Sequence, residues 1–316
     1  MEPIFRPRRL GHVNYWVDDW RAAAKWHNDI AGLAEVYRRT DLKGAFLSNG
    51  NTYHDSAVFD LDTPQGQGKK PGLHHLAFEL ENEVELVRGY DRIKDYGFEF
   101  DFTLSADIAH CCYGRDPDGN RFEVYTDVLD NWRERRTGDV DARGRNQWTP
   151  GSTPPVAESC YPVDPPIERV ADAVLHTKKA SHATLVASDY KVLYRHYTDL
   201  VGLTPLVGGA DTPFVILGGT LGEQSLAIFA PIPGVATGLH HGAFELNDPS
   251  DLDDVRNMES KMKAKGVAVE RVTEHGARRS VFVRDINGSL IQYYLAGREP
   301  LSAIGKLPAA EALWVA

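Results

Sequence analysis

Two histidines and one glutamate stand where short strands are predicted, and their chemistry suits a metal ion. His12 lies in GHVNYWV, His75 in GLHHLAFEL and Glu123 in DPDGNRFEVY. Side chains alternate between the two faces of a strand, so these three can share one face of a sheet while their apolar neighbours pack on the other. Two imidazoles and one carboxylate on a concave face form the facial triad of a non-haem Fe(II) or Mn(II) site with open positions.

The same alternation assigns the neighbouring side chains. In the first strand it places Asn14 and Trp16 beside His12. In the second strand it turns Ala77 and Glu79 to the side of His75. The predicted apolar face of that second strand, which we expect to pack against helices, consists of His74, Leu76, Phe78 and Leu80.

The chain contains an internal duplication. GLHHLAFEL at residues 72–80 returns as GLHHGAFEL at 238–246, and DPDGNRFEVY at 116–125 returns as DINGSLIQYY at 285–294. The segment that starts at Gly11 returns at Ser181, so three blocks recur in one order at offsets of 166 to 170 residues. A period this long is a whole domain, so we predict two tandem copies of one fold rather than a solenoid.

Each copy is predicted to contain two strand–helix–strand–strand–strand units. In the first copy, apolar residues at helical spacing predict a helix over 19–30, which Gly32 would end, and a polar-faced helix over 83–96. Strands are predicted at 12–17, 35–38, 45–47, 56–61 and 74–80, followed by a strand pair across the DPDGN turn. This pattern indicates an α+β fold whose strands position the three candidate ligands.

The copies are separated by a segment of different composition. Residues 131–167 are rich in Pro, Gly, Arg and Asp and show no sustained periodicity. We therefore predict an N-terminal domain over 1–130, a linker or wrapping segment over 131–172 and a C-terminal domain over 173–316.

Composition and charge exclude several classes of protein. The 316 residues carry a formal net charge of −10, which argues against a nucleic-acid surface. No apolar stretch approaches the roughly 20 residues that span a bilayer, and the first residues lack the apolar core of a secretory signal. Three cysteines, two of them adjacent, cannot build a disulfide framework, so we expect a cytoplasmic protein.

The sequence resembles a known family at several of these motifs. LGHVNYWVDD, YHDSAVF, GLHHLAFEL and YGRDPDGNRFEVY are similar to the type I extradiol catechol dioxygenases of the vicinal oxygen chelate superfamily. The resemblance implies paired βαβββ units that form a curved mixed sheet around a concave site in each domain. It makes His12, His75 and Glu123 the metal ligands, His54 a histidine beside the substrate, and Tyr113 a hydrogen-bond donor to the bound catechol.

The sequence departs from that family in two ways. The second copy keeps His182 and His241 but has Gln292 in place of the carboxylate and Phe282 in place of Tyr113, so we expect it to be degenerate and metal-free. The first copy lacks the loop histidine that serves the family as an acid–base residue. Its matching stretch, TLSADIAHCC, offers Asp107 or His110 instead, and we take His110 as the weaker catalytic candidate.

The predicted activity is ring cleavage of a catechol-type diol with O₂ by an Fe(II) enzyme, with Mn(II) as the other possible metal. Trp16 and Tyr53 are candidate substrate-binding residues, although core packing explains each equally well. The expected partners are a small aromatic diol, O₂ and further copies of the chain in a homo-oligomer. Two alternatives stay open: another metal-dependent enzyme of the superfamily, such as an isomerase, epimerase or glyoxalase-like lyase, and a metal-free binding protein of the bleomycin-resistance type.

Overall fold

The computed structural model describes residues 2–140 and 145–316, and it contains two sheet-based domains. The first domain follows the predicted order, with strands β1 to β8 and helices α1 and α2: β1 Arg9–Val17, α1 Trp20–Trp26, β2 Glu35–Arg39, β3 Gly44–Leu47, β4 Ser56–Asp60, β5 Gly72–Glu79, α2 Glu83–Tyr96, β6 Phe102–Ala106, β7 Ala109–Arg115 and β8 Arg121–Asp127. These are two βαβββ units, so the predicted α+β architecture is confirmed.

The two units join side by side into one curved mixed sheet. Strands β1 and β5 pair antiparallel at the centre, while β1 with β4 and β5 with β8 pair parallel. The resulting order is β6-β7-β8-β5-β1-β4-β3-β2. The first strand of each unit, and the strand parallel to it, therefore stand together in the middle of the sheet, where the three candidate ligands lie.

The segment after the first domain extends both edges of this sheet. It forms the short helix α3, Trp132–Arg135, and two short strands, β9 Gly138–Asp139 and β10 Arg145–Asn146. Strand β9 pairs with β2 at one edge, and β10 pairs with β6 at the other. The predicted linker therefore adds a short strand to each edge of the first domain's sheet, although part of it, residues 141–144, lies outside the described residues.

The second domain repeats the architecture with eight strands. Its elements are β11 Thr177–Val186, α4 Tyr190–Arg195, β12 Thr204–Gly208, β13 Phe214–Gly218, β14 Gln224–Phe229, β15 Gly238–Leu246, α5 Val255–Ala264, β16 Val269–His275, β17 Arg278–Arg284, β18 Leu290–Ala296 and α6 Ala309–Ala312. Short 3₁₀ turns occur at Thr40–Leu42, Pro249–Leu252 and Leu301–Lys306. No helix in the described part of the chain is long and apolar enough to cross a membrane.

The first helix of each domain differs from the prediction in its last turn. Asp19 caps α1 by accepting hydrogen bonds from the N–H groups of Arg21 and Ala22. After Trp26 the chain forms a π-helical turn, His27–Ala31, before Gly32 ends it at φ 68°. The predicted helix over 19–30 is therefore correctly located, but one extra residue is accommodated in its last turn. The second domain does the same at His196–Leu200.

The central strand pair carries two bulges that decide which side chains face the concave side. The pairing passes from Leu10 with Phe78 to His12 with Ala77, and from Asn14 with His75 to Tyr15 with Leu73. Gly11 and His74 are thus the extra residues, and such bulges re-aim the side chains next to them. The second domain has the same bulges, at Ser181 and His240.

The two sheets share one core and differ on their concave sides. The ring of Tyr197 in the second domain packs at a tilt against that of Phe78 in the first, 5.7 Å between centroids, and its hydroxyl donates to Asp116 at 2.9 Å. On the concave side of the second sheet, residues of the C-terminal segment, among them Leu313, Val315 and Ala316, complete a buried apolar cluster. The first domain's concave side instead encloses an open cavity.

Candidate metal centre

The three predicted ligands meet at the base of the first domain's cavity. Nε2 of His12 lies 3.1 Å from Nε2 of His75 and 3.3 Å from Oε2 of Glu123, and His75 Nε2 lies 2.9 Å from the same oxygen. All three side chains are buried. Strands β1, β5 and β8 are adjacent in the sheet, so a residue from each converges on one point.

This spacing fits a shared metal ion. Ligand atoms about 2.1 Å from one ion and at right angles to each other are separated by roughly 3.0 Å. The three observed separations, 2.9, 3.1 and 3.3 Å, surround this value. Without an ion, the contact would bring two imidazole nitrogens and a carboxylate oxygen together in a buried place with little to balance them.

The ionisation of the site also suits a metal. Burial lowers the pKa of His75 to about 4, against the opposing effect of Glu123. Burial alone would raise the pKa of Glu123, but hydrogen bonds from His12 and His75 hold it well below its usual value. A neutral imidazole at His75 and an ionised carboxylate at Glu123 are the forms that bind a divalent cation.

His74 supports the site instead of packing against helices as predicted. Because it is the bulged residue of β5, it turns toward the cavity, where its ring lies 4.3 Å from that of Trp16 and 4.6 Å from that of Phe59. Its Nδ1 lies 2.5 Å from Nδ1 of His75. One of these nitrogens donates to the other, which fixes the orientation of the His75 ring, as the outer partner of a ligating histidine commonly does.

His54 and Asn14 lie next to the ligands. The ring of His54 is 4.0 Å from that of His12. The amide oxygen of Asn14 accepts a hydrogen bond from the N–H of Ala57 at 2.6 Å, so its nitrogen points to Nε2 of His75 at 3.2 Å and of His54 at 3.4 Å. Asn14 therefore presents its N–H₂ group to both rings.

Tyr113 stands on the other side of the ligands. It lies on β7 directly opposite Glu123 in the register with β8. Its ring is 5.5 Å from that of His75 and stacks on Phe102 at 4.6 Å. The phenol therefore borders the ligands without being one of them, as the resemblance implied.

A cavity of about 280 Å³ opens above the ligands. Trp16 and Tyr53, the candidate substrate-binding residues, both line it, together with Tyr113 and His54. Its remaining walls are largely apolar and aromatic, and include Tyr37, Leu42, Phe46, Phe59, Phe102, Leu104, Ile108 and Val140. An apolar cleft with a few converging polar groups is the usual form of a small-molecule site.

The structure does not bring His110 to the cavity. On β7, Cys111 and Tyr113 face the concave side, so the alternation of the strand turns His110 to the opposite face. There its Nδ1 contacts Glu83 at 2.7 Å, and its ring stacks on Trp148 at 4.3 Å. The prediction that His110 handles a proton is wrong for this structural reason. Asp107, the other candidate, forms an ion pair with Arg135 at 3.0 Å.

Sequence reasoning missed several residues of the cavity wall. Arg121 shares a strand face with Glu123, so alternation alone could have identified it. His74 could not be found in this way, because its direction depends on the bulge. Arg39 and Arg136 also line the cavity, and Arg136 comes from the segment after the first domain, whose position no periodicity predicts.

In the second domain, the position that corresponds to the metal centre holds different side chains. Gln292 donates to the hydroxyl of Ser280 at 2.9 Å, and the guanidinium of Arg278 lies 3.0 Å from Nε2 of His182 and donates to Gln224 at 2.7 Å. Arg278 is buried and takes the strand position that Ala109 has in the first domain. A cationic side chain thus stands beside the retained histidine.

A second cluster of potential ligand atoms lies at His176, Asp248 and Asp251. Both oxygens of Asp251 already accept hydrogen bonds from His176, one from its ring and one from its backbone N–H. Asp248 is held by Arg169 and Ser250. Because these carboxylates are already engaged, we assign no metal to this cluster.

Comparison with known proteins agrees with this arrangement. Residues 9–124 match the Glyoxalase/Bleomycin resistance protein/Dioxygenase superfamily. These residues contain all three ligands and both βαβββ units of the first domain. The first domain is therefore similar to this superfamily. The second domain, which repeats the same bulges and strand order, is its duplicate within the chain.

One relative aligns over nearly the whole chain, and another over a shorter part of it. A catechol-2,3-dioxygenase of Bacillus subtilis is 24% identical over 312 residues, which are 93% of this chain and 100% of the relative. A biphenyl-2,3-diol 1,2-dioxygenase of Rhodococcus globerulus is 30% identical over 125 residues, 38% of this chain and 63% of the relative.

The crystal structure of the 2,3-dioxygenase LapB from Pseudomonas sp. KL28 superposes with a TM-score of 0.67 at 14% identity, over 95% of this chain and 96% of LapB. At this identity the likeness concerns the fold alone. It shows that the likeness in fold extends over both domains.

Proposed function

We propose that the protein is a non-haem Fe(II)-dependent extradiol dioxygenase that cleaves a catechol-type ring with O₂ in its N-terminal domain. The observation that carries this proposal is the convergence of His12, His75 and Glu123 within 2.9 to 3.3 Å at the base of an aromatic-lined cavity. The relatives named as catechol and biphenyl-diol dioxygenases support the same reaction.

The charge of the ligand set favours a catechol. A divalent iron ion held by His12, His75 and Glu123, as two neutral imidazoles and one carboxylate, would carry a net charge of +1 and would supply Lewis-acid and redox chemistry toward a catechol and O₂. A catechol that binds as a monoanion balances that charge. The chain must therefore accept one proton from the substrate as it binds.

His54 and Tyr113 are placed to manage protons and charge at the substrate. The ring of His54 lines the cavity 4.0 Å from that of His12, where an imidazole can take up a proton from a catechol hydroxyl. The hydroxyl of Tyr113 borders the same space and can donate to a substrate oxygen on which charge develops. The apolar walls exclude water from these polar groups.

We propose Fe(II) in preference to Mn(II). Two imidazoles and one carboxylate suit either ion, and one relative, from Geobacillus genomosp. 3, is a manganese-dependent 2,3-dihydroxybiphenyl 1,2-dioxygenase that is 27% identical over 129 residues. Facial sites of this composition with open positions are typical of non-haem Fe(II) oxygenases, which is what supports iron.

We propose that the second domain is metal-free and structural. The neutral amide of Gln292 is a weaker ligand for a hard cation than a carboxylate, and the buried guanidinium of Arg278 repels a metal ion from His182. Residues of the C-terminal segment also fill the concave side of the sheet, where the carbonyl of Ala316 accepts from Thr184 at 3.3 Å.

Two wider expectations remain predictions. The cysteines Cys111, Cys112 and Cys160 form no disulfide, which supports a reducing cytoplasm as the site of the reaction. Assembly into a homo-oligomer is the other.

Oxygen uptake tests the proposed reaction. The protein is loaded with Fe(II) or Mn(II) under argon and mixed with aerated catechol, and O₂ consumption and absorbance of a yellow ring-fission product are followed. We expect one O₂ per catechol. Resorcinol, whose hydroxyls cannot chelate one ion, is the matched control and should give none. A metal-loaded protein that consumes no O₂ over a panel of catechols would leave the isomerase or lyase alternative.

A further inference from the structure

Three arginine side chains line the cavity, and they differ in how their charges are balanced. Arg39 makes a bidentate ion pair with Asp41, at 2.8 and 2.5 Å. Arg136 lies 3.6 Å from Asp107 and donates to the carbonyl oxygens of Arg135 and Ala106. Two of the three cations are thus held by groups of the protein.

Arg121 is the exception. None of the ion pairs within 4.0 Å among the described residues includes its guanidinium: Asp101, the carboxylate whose charge acts on it, pairs with Arg115 at 3.4 Å. The ring centroid of Phe102 lies 5.8 Å from the guanidinium. It is half-buried in the cavity wall. The nearest acidic ligand on its own strand, Glu123, is already engaged by His12 and His75.

The position of Arg121 places it within reach of a bound substrate. It precedes Glu123 by two residues on β8, so both side chains leave the same face of the strand about 6.6 Å apart. The ring of Phe102 lies between Arg121 and Tyr113 and stacks on the latter. A guanidinium at this distance from the metal ligands suits a group carried on the ring, not the two hydroxyls that chelate.

A second cation stands at the same side of the cavity. The ammonium of Lys69 lies 4.3 Å from the ring centroid of Trp16, which is a wall residue. Burial and the charges of Arg121 and Arg115 lower the pKa of Lys69. No carboxylate of the described residues pairs with Lys69, whereas Arg115, outside the cavity, faces Asp101 at 3.4 Å.

We propose that Arg121, with Lys69 beside the cavity-wall residue Trp16, binds an anionic substituent of the substrate. This inference rests on the proposed function and deepens it: the substrate class is catechols that carry a carboxylate on the ring or on a short side chain. A catechol bound as a monoanion would balance the net charge of +1 on the metal and its three ligands. A second negative charge on the substrate would then balance Arg121 and Lys69. A planar guanidinium binds a carboxylate through two parallel hydrogen bonds, and Arg121 has its donors available for them.

A matched pair of substrates tests the proposal. One is a catechol with a carboxylate on a one-carbon side chain, and the other is the same compound as its uncharged methyl amide. We expect the wild-type enzyme to have a kcat/KM at least tenfold higher for the carboxylate. In Arg121→Gln the ratio of the two kcat/KM values should fall by roughly 10- to 100-fold, the loss expected for hydrogen bonds to a charged group. Arg115→Gln, which removes a paired arginine outside the cavity, should leave the ratio within twofold of wild type.

Anaerobic binding separates this proposal from the proposed reaction. Calorimetric titration of both compounds into wild type and Arg121→Gln requires no turnover, so it reports on the anion site even if neither compound is cleaved. Tighter binding of the carboxylate to wild type, lost in Arg121→Gln, supports the proposal. Equal affinity of wild type for the two compounds, or an Arg121→Gln variant that keeps the preference, overturns it.

Discussion

Tyr113 and Phe282 are the pair of residues in which the two copies differ most simply. Phe282 packs edge-on against His241 at 5.2 Å, as Tyr113 packs against His75 at 5.5 Å. The second domain therefore demonstrates that phenylalanine fits this position on the strand. Loss of the Tyr113 hydroxyl can be studied without disturbing the packing around it.

We predict that Tyr113→Phe keeps its metal and loses turnover. One hydrogen bond to developing charge is removed, so kcat for ring cleavage should fall by roughly 10- to 1,000-fold. Metal content is measured by mass spectrometry and turnover by O₂ uptake. Phe282→Tyr, the reverse change in the second domain, should leave kcat unaltered. If Tyr113→Phe cleaves catechol at the wild-type rate, Tyr113 is only a packing residue.

At the residue scale, strand alternation accounts for most of what the sequence could predict. It places His12, His75 and Glu123 together correctly, and Trp16 on their side. Applied to β7 with the same rigour, it would also have excluded His110, because Tyr113 and His110 have opposite parity. The direction of the His74 side chain was predicted wrongly for another reason. A bulge depends on how two strands pair, and the sequence of one strand does not reveal it.

Because of the bulge at Gly11, strand β1 can contribute one side chain to the core and, two residues later, another to the metal site. Leu10 packs in the shared core while His12, two residues later, faces the cavity. A Cβ atom at Gly11 would lie 2.1 Å from the hydroxyl of Tyr125, which is fully buried. The second copy has Ser181 at the matching position, and the hydroxyl of Ser181 lies 2.6 Å from that of Tyr294. In that domain the tyrosine is therefore placed so that it leaves room for a side chain at this position.

We therefore expect Gly11→Ala to destabilise the protein by about 1 to 3 kcal/mol, the usual result of overpacking a buried site. It should also weaken metal binding, because the strain falls next to His12. The free energy of unfolding is measured in urea. Gly209→Ala is the matched control, because nothing lies within 4 Å of its added Cβ. Equal stability of the two variants would contradict the role given to the bulge.

The π-helical turn buries His27 in a setting that makes stability depend on pH. Burial lowers the pKa of His27 to about 4, and neither ring nitrogen has a hydrogen-bond partner among the described residues. In the unfolded chain this histidine becomes protonated near pH 6.5, whereas in the folded chain it stays neutral until the pH falls to about 4. Stability is therefore full above pH 7 and falls as the pH falls from about 6.5 to 4.

From this difference in pKa, His27 should lower the free energy of unfolding by about 2 kcal/mol when the pH falls from 7.5 to 5. We predict that the free energy of unfolding falls by that much less in His27→Leu than in wild type over the same pH interval. Urea unfolding of the metal-free proteins at both values measures it, since metal binding has its own pH dependence. An identical pH slope in the two proteins would show that His27 is protonated in the folded state or that it has a compensating partner.

The helices and strands themselves were largely predictable, since polar caps and glycines set their ends. Asn82 begins α2 and Gly97, at φ 80°, ends it, so the predicted helix over 83–96 coincides with the observed one. The π turns were not predictable, because an inserted residue leaves the apolar spacing nearly intact. The pairing of β9 and β10 with the two sheet edges was equally hidden, because two-residue strands have no periodicity.

At the scale of the whole molecule, one duplicated fold has acquired two different interiors. In the first domain the concave side is an open cavity with two histidines and a carboxylate at its base. In the second, burial lowers the pKa of His182 and His241 well below the usual value, and Arg278, Gln292 and the C-terminal segment take up the matching space. The shared core between the sheets ties the two together, with a buried contact of Asp55 to the backbone of Ala180 at 2.9 Å.

The most direct test exchanges the ligand that distinguishes the two copies. Glu123→Gln gives the first domain the ligand set of the second, and Gln292→Ala removes the counterpart from the second. Metal per chain is measured after loading with Fe(II) under argon, together with catechol-dependent O₂ uptake. We predict one metal per chain and full activity in wild type and Gln292→Ala, and neither metal nor activity in Glu123→Gln. Two metals per wild-type chain, or a Glu123→Gln variant that keeps its metal and still cleaves catechol, would contradict the account.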